Sequence, residues 1–252
     1  MVFMRMLAYY RRMLCLLALA LAPTGQAQGL EQLLVNFEGR AQKLSGQVVI
    51  EDTTGSLLLE TDEGALWPLA AETILERTSD EQQLVPLNKK QLTERLLQEL
   101  GPEFQSHDSK HYVVVFNTTR RYAIWCSTLL EKLQKGFLYF WKKQGAKVHA
   151  PQAPLAVLIF NNKASYIQHA QAELGAAAGG AIGYYSLQTN RIVMYDLTGE
   201  QALLREATNR GSMKDISALL ENPRAEPLVA TIIHEATHQI AYNCGLQKRF
   251  VD

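Results

Sequence analysis

Cysteine is scarce in this chain: three in 252 residues, Cys15, Cys126 and Cys244. That excludes a disulfide-dense small scaffold. No charge sign dominates, with 25 basic against 25 acidic residues, so a nucleic-acid or anionic-membrane partner is not indicated. No apolar run reaches the 18 or so residues that a membrane span needs. Internal repeats and low-complexity tracts are missing. The Gly/Ala-rich stretch 175–183 lacks the Gly-Lys-Ser/Thr ending of a phosphate loop and the G-x-G-x-x-G order. What is left is an ordinary globular composition, 47% hydrophobic and 20% charged.

The first thirty residues are distinctive. Arg5, Arg11 and Arg12 precede the apolar run Met13–Ala22, and Gly25 and Ala27 supply small residues behind it. This is the pattern of a secretory signal peptide over residues 1–27. The expectation is an exported protein, periplasmic or extracellular, with no stable membrane span after cleavage. An oxidising compartment permits a Cys126–Cys244 bridge, although each cysteine lies in an apolar helical pattern that also suits a buried thiol.

Residues 28–86 form a small N-terminal region. Leu30, Leu33, Leu34, Phe37 and Ala41 recur at helical spacing through Leu30–Ser45. Strand-like runs follow at Gln47–Glu51, Ser56–Thr61 and Ala65–Leu69, separated by turns at 52–55 and 62–64. The reading is a helix followed by an antiparallel meander. From residue 87 the order changes. Asn88 and Gln91 spell a capping box before the Leu92, Leu96, Leu97, Leu100 stripe. His111–Asn117 and Leu155–Phe160 read as buried strands, with a long helix from Thr118 or Thr119 to about Lys143 between them. A helix over Lys163–Leu174 precedes strands at Ile182–Leu187 and Arg191–Tyr195. The expected fold is α+β, a mixed sheet with packed helices.

The chemistry lies in the last helix, Pro227–Cys244, which contains His234-Glu235-Ala236-Thr237-His238. Positions four apart stack on one helix face, so His234 and His238 can aim both imidazoles at one zinc ion. Glu235 is placed to act as general base toward the hydrolytic water. The candidate metal ligands are therefore His234 and His238, the candidate catalytic residue is Glu235, and the cofactor is Zn2+. Zinc needs a third protein ligand. The metzincin extension asks for glycine and histidine where this chain has Ala241 and Cys244. His107, His111, His149 and His169 are scattered among strands and loops.

The block Ala230–Gln239, followed by Asn243-Cys244-Gly245, resembles the peptidase MA-like gluzincins. More narrowly it is similar to an exported bacterial domain-of-unknown-function family beside them. The likeness runs back through His111–Asn117, the Trp125 helix and the Tyr184–Asp196 strands. The resemblance implies a thermolysin-like zincin domain over residues 87–252 and a zinc metallopeptidase acting on a peptide or protein substrate. A non-catalytic zincin-fold binding or scaffold protein, or an inactive fragment of such an enzyme, is the alternative. In that family a downstream glutamate completes the site, so the expectation is that this ligand lies beyond residue 252. The resemblance further implies an edge strand that binds extended peptide, for which Arg191–Tyr195 is the candidate, with 175–183 as an adjoining loop. Tyr184, Tyr185 or Tyr195 would then be available to stabilise an oxyanion.

Overall fold

The computed structural model describes residues 29–37, 39–199 and 225–246. The expected signal peptide over residues 1–27 and the polar stretch 200–220 lie outside the described residues. Ten strands and four α-helices among the described residues make two five-stranded sheets with packed helices, an α+β architecture.

The first sheet is antiparallel throughout and is built from β1 (Glu31–Phe37), β2 (Arg40–Glu51), β3 (Leu57–Thr61), β4 (Leu66–Leu69) and β5 (Ile74–Ser79), in the order β4-β3-β2-β1-β5. The helix read over Leu30–Ser45 is thus a hairpin, with Gly39 at φ +81° beside its turn. Locally, the helical spacing of Leu33, Leu34 and Phe37 competes with the alternation of Leu33 and Val35. Pairing with two neighbours settles the competition, because Leu33 and Val35 then bury against Leu44, Val48, Leu57, Leu59 and Leu69. Bulges at Leu34/Val35 and Val48/Ile50 bend this sheet. Strand β5 is mostly exposed and carries few apolar residues, which is why no apolar alternation marks it.

The second sheet contains β6 (Gln105–Asp108), β7 (Tyr112–Phe116), β8 (Leu155–Phe160), β9 (Gly183–Ser186) and β10 (Arg191–Tyr195), ordered β6-β7-β8-β10-β9. Strands β7, β8 and β10 run parallel and every residue in them is buried. Such strands read as unbroken apolar runs because helices cover the sheet. The outer strands β6 and β9 are antiparallel to their neighbours. Strand β10 is therefore internal, and among the described residues β6 and β9 are the two edges, which corrects the expectation for Arg191–Tyr195. The hairpin turn at 187–190, with Asn190 at φ +56°, folds β9 outside β10.

Helix α1 (Lys89–Leu100) starts at the expected capping box and ends at Gly101, whose φ of +101° suits glycine. Helix α2 (Arg120–Lys143), capped by Thr119, presses Tyr122, Ala123, Cys126 and Leu130 into the core. Helix α3 (Lys163–Leu174) is capped by Asn162 and runs into a 3-10 turn over Gly175–Gly180. Helix α4 (Glu226–Asn243) packs on α2, β9 and β10. Among the described residues no helix is long and apolar enough to cross a membrane. Cys126 and Cys244 are both buried and free rather than bridged.

Candidate functional site

Helix α4 carries the histidine motif. Ile232, Ala236 and Ile240 are buried on its inner face, and Gln239, Tyr242 and Asn243 are buried beside them. Its body is held as the apolar pattern implies, yet His234 and His238 stand on the exposed stripe one turn apart. Helix periodicity explains both facts, since a four-residue step returns almost to the same face. Cys244 caps the helix and Gly245 follows in the left-handed conformation, φ +79°.

The two imidazoles converge. Their Nε2 atoms are 3.1 Å apart, with ring centroids at 4.6 Å and planes at 84°. Two nitrogens bound tetrahedrally to one zinc at about 2.05 Å would stand about 3.3 Å apart. At 3.1 Å the pair is close to that edge length, a separation at which one ring can equally donate an N–H to the other. Glu235, on the adjoining helix position, is half-buried, and its Oε2 accepts the backbone N–H of Tyr185 at 2.9 Å. Tyr185 lies on β9, so the candidate base is joined to an edge strand of the second sheet.

Among the described residues, no group of three or more His, Cys, Asp or Glu is placed to hold a metal. Cys244 is buried, its Sγ faces the carbonyl of Ala241, and it packs with Val148 and Ile240 away from the histidine stripe. Burial also raises its thiol pKa. The other histidines are committed elsewhere. His111 Nδ1 meets Glu131 at 2.8 Å, and His149 Nδ1 meets the carbonyl of Ala150. His169 lies against Phe160, and burial lowers its pKa. His107 sits on β6, its pKa also lowered by burial.

The tyrosines named for an oxyanion are not poised for one. Tyr184 and Tyr195 are buried with their rings against Tyr166, and the Tyr185 hydroxyl donates to Asn190 Oδ1 at 2.8 Å. Sequence reasoning misses the polar groups behind the site, namely Asn190, Gln239 and Asn243. Gln239 and Asn243 are detectable in principle: they are polar residues four apart on the face the helix buries.

Residues 228–252 match the model of a family described as "Protein of unknown function (DUF1570)". The matched stretch holds the whole motif, 25 residues at the C-terminal end of the chain, and does not reach back to His111, where the resemblance expected from the sequence began. No curated protein and no solved structure matches the chain.

Proposed function

We propose that the protein is an exported zinc-dependent metallopeptidase of the gluzincin type, with a zincin-like second sheet, in which His234 and His238 hold the metal. The observation that carries this reading is the 3.1 Å convergence of the two Nε2 atoms on an exposed stripe of a well-packed helix. His234 and His238 would hold the zinc ion, which when bound would supply Lewis-acid polarisation and a lowered pKa of water. Glu235 takes a proton from the attacking water on a carboxylate oxygen and delivers it to the leaving amine nitrogen. Strand β9, an antiparallel edge of the second sheet among the described residues, is the backbone proposed to pair with a peptide substrate, which would take over the Tyr185 N–H that Glu235 now holds. The fold reading is supported by the position of α4 against that edge strand.

The second reading is a non-catalytic zincin-fold binding or scaffold protein, or an inactive fragment of an enzyme. It is favoured by the ligand count, which stops at two among the described residues.

Metal analysis after dialysis, combined with hydrolysis of a quenched peptide library, tests both. The peptidase reading expects bound zinc in the parent protein, its loss in His234→Ala and His238→Ala, and retained zinc without hydrolysis in Glu235→Gln. A parent protein that holds no zinc refutes the metal site and leaves the binding-protein reading. Zinc bound without hydrolysis identifies the inactive form.

A further inference from the structure

Behind the histidine stripe, the first sheet reaches into the second. The β3–β4 turn at Asp62–Gly64 meets the C-terminal half of α4 and the β9–β10 turn at one residue, Asn190. Asn190 Nδ2 donates to the carbonyl of Glu63 and to Asn243 Oδ1, both at 3.0 Å. Its Oδ1 accepts from Asn243 Nδ2 and from the Tyr185 hydroxyl, both at 2.8 Å. Its backbone carbonyl accepts from Gln239 Nε2 at 2.9 Å, and the same Nε2 reaches the carbonyl of Ala156 on β8 at 3.1 Å. The Tyr242 hydroxyl closes the contact on the carbonyl of Gly64 at 3.2 Å. Gly64 has φ +73°, and a Cβ there would stand 3.2 Å from Asn190 Nδ2.

This knot is buried and adjoins the candidate site through two residues. Gln239 follows His238 directly in the chain. Tyr185 gives its backbone N–H to Glu235 and its hydroxyl to Asn190, so one residue of the edge strand is held at both ends. The separation between β9 and α4, where Glu235 works, is therefore set by Asn190 and by the turn of the first sheet that Asn190 clasps.

We propose that Asn190 is a positioning residue for the histidine motif, and that the N-terminal sheet is a structural part of the candidate site rather than an appended module. The inference rests on the metal-site reading for its chemical consequence and on the hydrogen bonds alone for its mechanical one. Groups hydrogen-bonded directly to metal ligands commonly matter about 10–100-fold in affinity. Asn190 bonds to neither histidine and acts one contact further out, through Gln239, Asn243 and Tyr185, so about tenfold is the upper end expected of it.

Asn190→Gly is the informative substitution, since glycine keeps the left-handed turn and removes the side chain with its carboxamide. The full chain is titrated with Co2+, which reports ligand geometry through its visible d–d spectrum. Asn243→Ala serves as the second variant and Lys90→Ala, on the exposed face of α1, as the control. Hydrogen exchange is followed over 183–186, 232–243 and, as reference, 89–100. We expect both node variants to weaken Co2+ by up to about tenfold, to alter its spectrum, and to speed exchange in β9 and α4 while α1 is unchanged. Lys90→Ala should change none of these. If the parent chain binds no Co2+, the metal-site reading falls and exchange alone decides the inference. Unchanged exchange in β9 and α4 overturns it whatever the metal result. Where the parent binds Co2+, unchanged affinity and spectrum in the variants overturn it as well.

Discussion

Substituting Arg191→Met removes the charge that joins the two sheets. The Arg191 guanidinium donates to both carboxylate oxygens of Glu63 at 2.9–3.1 Å and to both of Glu99 at 2.8–2.9 Å. Its side chain is only 8% exposed, against 11% for Glu63 and 44% for Glu99. Burial would by itself lower the pKa of Arg191, but Glu63 and Glu99 outweigh it and the net direction is up. Removing one partner of a buried ion pair costs about 3–5 kcal/mol, because the remaining charge stays desolvated. Two features reduce that here. Glu99 can rehydrate, and Glu63 keeps Arg95 at 3.1 Å. Methionine preserves the apolar stem. The net expectation is a loss of about 2–3 kcal/mol, or about 4–12 °C in Tm at about 2–4 °C per kcal/mol for a chain of this size. Arg95→Met is the comparison, because Arg95 is 43% exposed and its partner Asp62 29%. An exposed pair of that kind contributes about 0–1 kcal/mol. Thermal and urea unfolding followed by circular dichroism, at low salt and at about 0.5 M salt, where charges on the surface are largely screened, measures both. Arg191→Met costing no more than Arg95→Met would refute the reasoning, as would a loss that high salt abolishes.

Two further outcomes are expected. Burial pushes the Glu131 carboxyl up, but hydrogen bonds from His111 and Ser109 outweigh it, so its pKa lies below the ordinary value. A carboxyl depressed in the folded state stabilises above its unfolded pKa of about 4.5 and loses that contribution as pH falls through the folded value. Glu131→Gln should therefore flatten the acid limb of the stability profile below about pH 4.5, and an unaltered limb in urea titrations would count against it. Leu158→Ala, at a fully buried position of β8, should cost about 2–5 kcal/mol through the cavity it leaves. A smaller loss in chemical denaturation would mean that the site collapses.

Much of the second sheet is legible in the amino-acid sequence. The capping box at Asn88, the apolar runs of β7 and β8, and the spacing of His234 and His238 are local properties, decided by a few neighbouring residues. The first hairpin is not legible, because Leu30–Ser45 fits two periodicities and only its pairing with β5 and its burial against the core residues of β3 select one. The placing of β10 at the edge fails for a related reason: strand order is a property of the sheet, and nothing within Arg191–Tyr195 states which neighbours it takes.

For the candidate site the division is the same. Helical periodicity alone brings two imidazoles to one stripe and places Glu235 beside them, and a basic, apolar, small-residue leader alone carries the expectation of export. Tertiary structure alone shows that the stripe faces outward, that Cys244 turns away from it, and that Glu235 is tied to the edge strand β9 through Tyr185. It also reveals Asn190, a turn residue far from the motif in sequence, as the point where both sheets and the motif helix meet. Hydrogen bonds between distant segments leave no period in a sequence, and for that reason the candidate ligands can be read from the chain while their support cannot.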